Sequence, residues 1–159
     1  MKVTAWFVFI VLIGFILTIL PLPEVVAWMR PQWVLLILLF WAISMPDYAG
    51  IGSAFIIGIL MDLLTGTVLG QHAMFYCFFV YLALKFNQQV RSYPMVQQMV
   101  FVGIITLFIL IVQYFIQSFI GIKSISWSYW VPILSNSILW PWLCLLLQEL
   151  TEHIELRVI

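Results

Sequence analysis

What most limits the folds open to this chain is how little charge interrupts its apolar runs. From Met95 to Ile120 there is no Asp, Glu, Lys or Arg. A soluble domain carries about 25% charged residues, because its surface must face water. Here only 8% of 159 residues are charged and 65% are hydrophobic, so six acids and six bases would have to coat the whole particle. They are too few, and the chain is expected to dissolve in lipid. A span takes about 20 apolar residues, so six spans leave only short loops and two tails. Residues 1–159 therefore read as a single polytopic membrane domain of the all-α integral membrane class, a six-helix transmembrane bundle.

Several function classes fall away on the same grounds. The net charge is zero and Lys and Arg do not cluster, so the electrostatic footprint of nucleic-acid binding is missing. Cys77 and Cys144 sit in apolar runs with no further ligand at metal spacing and read as small buried hydrophobes. No His-Glu-x-x-His, Gly-x-Ser-x-Gly, phosphate loop or acid cluster occurs, so neither an enzyme nor a cofactor or metal is expected. Met1-Lys2, an apolar run and then Val25-Val26-Ala27 have the outline of a cleavable signal. Pro21, Pro23 and Glu24 interrupt it, and the segment reads as a first span.

Apolar runs bounded by Pro, Gly and charge predict spans at about 5–20, 31–45, 50–64, 71–84, 95–120 and 131–147. Pro31 suits a first helical turn, where its missing N–H does no harm. The second, third and fourth spans are shorter than a bilayer requires; they thin it, re-enter it, or begin inside the flanking loops. With an even number of spans Lys2, Lys85, Arg91 and Arg157 share one side, against Arg30 and Lys123 on the other. The positive-inside rule then places both termini in the cytoplasm. Trp28, Trp33, Trp127 and Trp130 flank the outer span ends, at the level indoles prefer.

Polar side chains within spans are costly and therefore informative. Arg30 precedes the second span, Asp62 nears the end of the third, and Gln71 and His72 open the fourth. Gln113 and Gln117 lie four apart on one face of the fifth, and Asn136 lies in the sixth. All fall in the outward half. Two readings stay open: these groups satisfy one another or the headgroups, or they line a cavity open to the outside in which Arg30 faces and pairs with Asp62.

Gly50, Ala54, Gly58, Asp62 and Gly66 recur every four residues and form a stripe that lets helices approach closely, within the chain or in a homodimer. Pro141, between Trp140 and Trp142, predicts a kink near Ser137; the two indoles there seat a lipid or partner helix, or simply pack. Beyond Leu147 the helix is expected to emerge, with Glu149, Glu152 and Glu155 on one face and Leu147, Leu150 and Ile154 on another. Lys85 to Ser92 reads as a cytoplasmic loop.

Three blocks resemble the bacterial rod shape-determining MreD family: Arg30-Pro31-Gln32-Trp33 with the apolar run to Trp41, Gly58-x-x-x-Asp62-x-x-x-Gly66 followed by Leu69-Gly70, and Leu139-Trp140-Pro141-Trp142. Length, hydropathy and motif order agree over nearly the whole chain, while the first and fifth spans match in character only. The resemblance implies a non-enzymatic component of the bacterial inner membrane within the rod complex, or elongasome, which directs lateral peptidoglycan synthesis and cell shape. It implies MreC as direct partner, with MreB, RodZ, RodA and its transpeptidase in the same complex. It also implies a fold similar to the substrate-binding subunit of energy-coupling factor transporters, with a cavity open outward. The matching motif positions are Arg30, Trp33, Asp62, Gly66 and Gly70. The outer cluster would receive part of MreC or hold an anionic lipid-linked ligand, with Arg30 supplying charge and Asp62 fixing it. The alternative is a vitamin-binding subunit of an energy-coupling factor type transporter; such subunits carry an Ala-x-x-x-Ala contact motif in the first span, which residues 5–20 lack. A lipid-modifying enzyme lacks its acid or nucleophile cluster.

Overall fold

A helix that is apolar on every side must be surrounded by lipid or by protein, and the helix after Pro31 is surrounded by protein. The computed structural model describes residues 2–21, 23, 30–121 and 127–155. Helix α1 spans Lys2–Ile19, α2 Trp33–Ser44, α3 Ile51–Thr65, α4 Gln71–Lys85, α5 Asn87–Ser92, α6 Met95–Ile120 and α7 Val131–Glu155; a 3-10 turn, Trp127–Trp130, leads into α7. No strand occurs among the described residues. In α2 every residue from Val34 to Ile43 is buried, enclosed by α1, α4, α5 and α7.

The surrounding helices each contribute a stripe. Phe7, Ile10, Val11 and Phe15 of α1 face inward, and Gly14 admits α2 closely: a Cβ there would lie 2.8 Å from Ile37 Cδ1. Helix α7 buries Asn136, Trp140, Cys144, Leu147 and Thr151, steps of three and four residues that keep to one helix face. Thr18, Thr106 and Thr151 return their hydroxyls to the carbonyls of Gly14, Val102 and Leu147, four residues back, which satisfies them inside an apolar bundle. The outward faces are apolar too: Val8, Leu12 and Ile16 of α1, Ile56 and Leu63 of α3, and Val100, Ile104 and Phe115 of α6 are exposed. Such faces suit lipid rather than water. Residues Met95–Ile120 and Trp127–Glu152 are each long and apolar enough to cross a membrane, whereas Val3–Ile19, Trp33–Ser44 and Ile51–Thr65 are shorter apolar helices.

Helices α3 and α4 form the most extensive pair. Ala54, Gly58 and Asp62 are buried on the α3 side. At Gly58 the backbones touch: a Cβ would overlap Ala73 Cα and lie 2.6 Å from Ala73 N. The expected packing stripe is corrected here. A Cβ on Gly50, Gly66 or Gly70 meets nothing within 4 Å, and what Gly66 and Gly70 provide instead is left-handed backbone, φ +66° and +94°. Within the stripe, Ala54 and Gly58 are buried in the chain itself, Gly58 directly against α4.

Two other local expectations change, in the loop before α6 and in the C-terminal tail. Residues expected as a loop form the short helix α5, whose Val90 is buried beneath α2. The chain remains helical through Pro141, and the flanking indoles part: Trp140 is 1% exposed and donates to Gln98 Oε1 at 3.2 Å, while Trp142 is 76% exposed. In the emerging tail, Thr151 rather than Leu150 follows Leu147 on the buried face. Trp28, Lys123, Arg157 and Val25 to Ala27 lie outside the described residues, as do the side chains of Lys2, Ile154 and Glu155.

Candidate functional site

At about 1.5 Å per residue a 12-residue helix rises about 18 Å, against about 39 Å for a 26-residue one. The central helix α2 is therefore shorter than α6, and a cavity lies at each of its ends. The cavity at the α2 N-terminus has a volume of about 550 Å³. The C-terminal ends of α1, α3 and α6 and the N-terminal ends of α4 and α7 close around it, bringing Thr18, Thr67, Gln71, Gln113, Gln117 and Tyr129 to one wall with Arg30 and His72. Tyr129 donates its hydroxyl to the Leu110 carbonyl at 3.0 Å.

Arg30 does not pair with Asp62. Its Nη2 donates to the Leu20 carbonyl at 2.8 Å, and its Nε is buried without a hydrogen-bond partner among the described residues. The Asp62 carboxylate, 1% exposed, sits beneath the cavity with four donors of its own. Oδ1 accepts from Thr67 Oγ1 at 2.9 Å, from the His72 backbone N–H at 2.9 Å and from His72 Nδ1 at 2.7 Å, and Oδ2 accepts from the Gly70 N–H at 2.8 Å. The two backbone donors are at the N-cap and second residue of α4, so the carboxylate from α3 caps α4 and meets its positive dipole end. The motif Gly58-x-x-x-Asp62-x-x-x-Gly66 is thus one structural unit. Gly58 permits the contact, Gly66 reverses the chain, and Asp62 bonds the start of the next helix.

Asn136 plays the same part for α2. Its Oδ1 accepts from the Gln32 N–H at 3.0 Å and its Nδ2 donates to Thr106 Oγ1 at 3.0 Å, tying α7 to the start of α2 and to α6. Asn136→Leu removes both bonds and leaves a buried N–H unpaired. It is expected to destabilise the protein by about 1–2 kcal/mol, read as a lowered unfolding midpoint. Thr106→Val, which loses both the bond from Asn136 and the bond to the Val102 carbonyl, costs about 0.6 kcal/mol per bond.

Of the residues expected at an outer polar cluster, Arg30, His72, Gln113 and Gln117 line the cavity. Asp62 lies under His72, Asn136 lies behind Gln32, and Trp33 faces a different, apolar groove between α1 and α7, beside Trp142. Sequence reasoning overlooked Thr67, which had its signal in the Thr65-Gly66-Thr67 turn, and Tyr129, which had none. It also overlooked the cavity at the other end of α2, about 680 Å³, whose wall includes Asp47, Arg91, Gln98, Gln148 and Glu152. No two of these are close in sequence except Gln148 and Glu152, so no motif announces them.

The family model of rod shape-determining protein MreD matches residues 1–150. The rod shape-determining protein MreD of Haemophilus influenzae is 29% identical over 152 residues, covering 91% of this chain and 90% of its own length. No solved structure matches. The vitamin-transporter alternative gains no support from these likenesses. A match over nearly the full length, with the Gly-Asp-Gly hairpin built as a unit, leads to one conclusion: the chain belongs to the MreD family of rod shape-determining proteins.

Proposed function

We propose that this protein is a non-enzymatic, multi-pass scaffold of the rod complex in the bacterial inner membrane, binding MreC and supporting lateral peptidoglycan synthesis. The family match over residues 1–150 carries the reading. In it the six longer helices cross the bilayer as a bundle similar to the energy-coupling factor substrate-binding subunit. Both termini are cytoplasmic, because Lys85 and Arg91 belong to the end of the bundle opposite Arg30. The Arg30 end then faces the periplasm, and the wall around its cavity, with Arg30, His72, Gln113 and Gln117, is where MreC engages. MreB, RodZ, RodA and its transpeptidase join through the same assembly.

Supplied to rod-shaped cells that lack their own MreD, the tagged chain and its cognate MreC are expected to restore rods and to co-purify from solubilised membranes. Substituting Arg30→Ala together with Gln117→Ala is expected to cut the recovered MreC about tenfold, the loss of one charge-assisted contact. Round cells and no MreC with the unaltered chain, at normal membrane abundance, overturn the proposal.

A further inference from the structure

Losing the Arg30–Asp62 pair changes what the cavity can hold. Among the described residues no carboxylate lines its wall, because the four donors of the α3–α4 turn fully engage Asp62 underneath. Arg30 has no carboxylate partner among the described residues. One nitrogen is held by a backbone carbonyl, and Nε is buried and has no acceptor among the described residues. A guanidinium presents its donors in a planar fork that fits carboxylate or phosphate oxygens two at a time. A guanidinium with its Nε buried and with no acid in reach among the described residues therefore awaits an anion.

The other polar groups suit the same guest. Since the Asp62 carboxylate accepts a hydrogen bond from His72 Nδ1, the other ring nitrogen of His72, Nε2, is the one left for a guest. The carboxamides of Gln113 and Gln117 project from one face of α6 onto the same wall. Val34, Phe75, Ile109 and Leu110 supply apolar lining, while the mouth lies among helix ends, which the proposed topology sets at the level of headgroups. A polar anionic mouth group attached to an apolar body fits that gradient.

We propose that this cavity binds a phosphate group, that of an anionic phospholipid headgroup at the outer surface, with Arg30 as ionic anchor and Gln113 and Gln117 as supporting donors. The proposal goes beyond partner binding and rests only on the cavity meeting the membrane–water boundary. The purified chain in a neutral maltoside detergent is mixed in turn with short-chain phosphatidylglycerol, with dioctanoylglycerol, which has no phosphate, and with inorganic phosphate. Retention is read by native mass spectrometry and by the shift in thermal midpoint. Phosphatidylglycerol is expected to be retained at least about tenfold better than dioctanoylglycerol, with Arg30→Gln removing that preference. The Gln113→Ala/Gln117→Ala variant weakens retention without touching the guanidinium, so the test stands even if Arg30→Gln folds poorly. Arg91→Gln, at the opposite cavity, leaves it unchanged. Competition by inorganic phosphate assigns the site to the free anion as well as the headgroup; no competition assigns it to the lipid alone. Equal retention of the two lipids, or a preference untouched by both cavity variants, overturns the proposal. MreC is absent from this assay, so a negative result removes the phosphate site and leaves the partner reading standing, and the reverse holds for loss of MreC co-purification.

Discussion

Gly58→Leu is expected to remove folded protein from the membrane, and even Gly58→Ala to lower stability by about 3 kcal/mol or more, the upper range of overpacking. The magnitude follows from what the new atom meets. At Gly14 or Gly103 a Cβ would press on the movable ends of Ile37 or Ser137. At Gly58 it overlaps Ala73 Cα and the peptide before it, and a helix backbone cannot step aside without parting α3 from α4 along their length. A domain with a total stability of about 5–15 kcal/mol has little margin for that. Gly52→Ala is the internal control. It lies on the same helix, a Cβ there meets nothing within 4 Å, and Ala is favoured over Gly in a helix by about 1 kcal/mol, so the midpoint should hold or rise. Thermal unfolding followed by size-exclusion recovery separates the outcomes. Equal behaviour of the 52 and 58 variants would remove the close contact from the account of the fold.

The second large effect is expected at Asp62. Asp62→Ala leaves the donors of Thr67, Gly70 and His72 without their acceptor, and is expected to cost about 3–5 kcal/mol, as when one partner of a buried charged pair is deleted. Asp62→Asn keeps the shape. With its oxygen at the Oδ1 position it still accepts three of the four bonds, but it turns an NH2 toward the Gly70 N–H. A cost of about 1–3 kcal/mol follows. Arg30→Ala loses one bond to the Leu20 carbonyl and shares no partner with Asp62, so the double variant Arg30→Ala/Asp62→Asn should be additive within about 0.5 kcal/mol. A coupling energy well above that in a double-mutant cycle restores the ion pair that the spacing of polar residues suggests.

How far the site could be read in advance depends on the kind of information each residue carries. Arg30, His72, Gln113 and Gln117 were legible because a polar side chain in an apolar helix is conspicuous and its height along the helix follows from counting residues. Their convergence on one end of the bundle is a consequence of alternating helix direction. Asp62 was legible as a residue with a partner, but not as to which partner. Sequence charge points to Arg30, the nearest unambiguous cation in the outer half, whereas the acceptors and donors that decide the matter include backbone N–H groups at residues 70 and 72, which no composition records. Asn136 likewise looked like a candidate lining residue, and its use is to cap a helix more than a hundred positions away.

The amino-acid order alone pointed to lipid as the solvent and marked the longer helices, broken where Pro, Gly and charge fall, because hydropathy and helix period are local properties averaged over many residues; it missed the short helix α5. It also marked the Gly-Asp-Gly block, whose four-residue spacing is a property of one helix. Only the tertiary structure decided that α2 is the enclosed helix, that cavities lie at both of its ends, and that Asp62 is engaged by its own hairpin while Arg30 bonds to the Leu20 carbonyl. The physical reason is that a carboxylate bonds to whichever donors lie within about 3 Å in the right direction, and which donors those are depends on how two helices cross and where a left-handed glycine turns the chain.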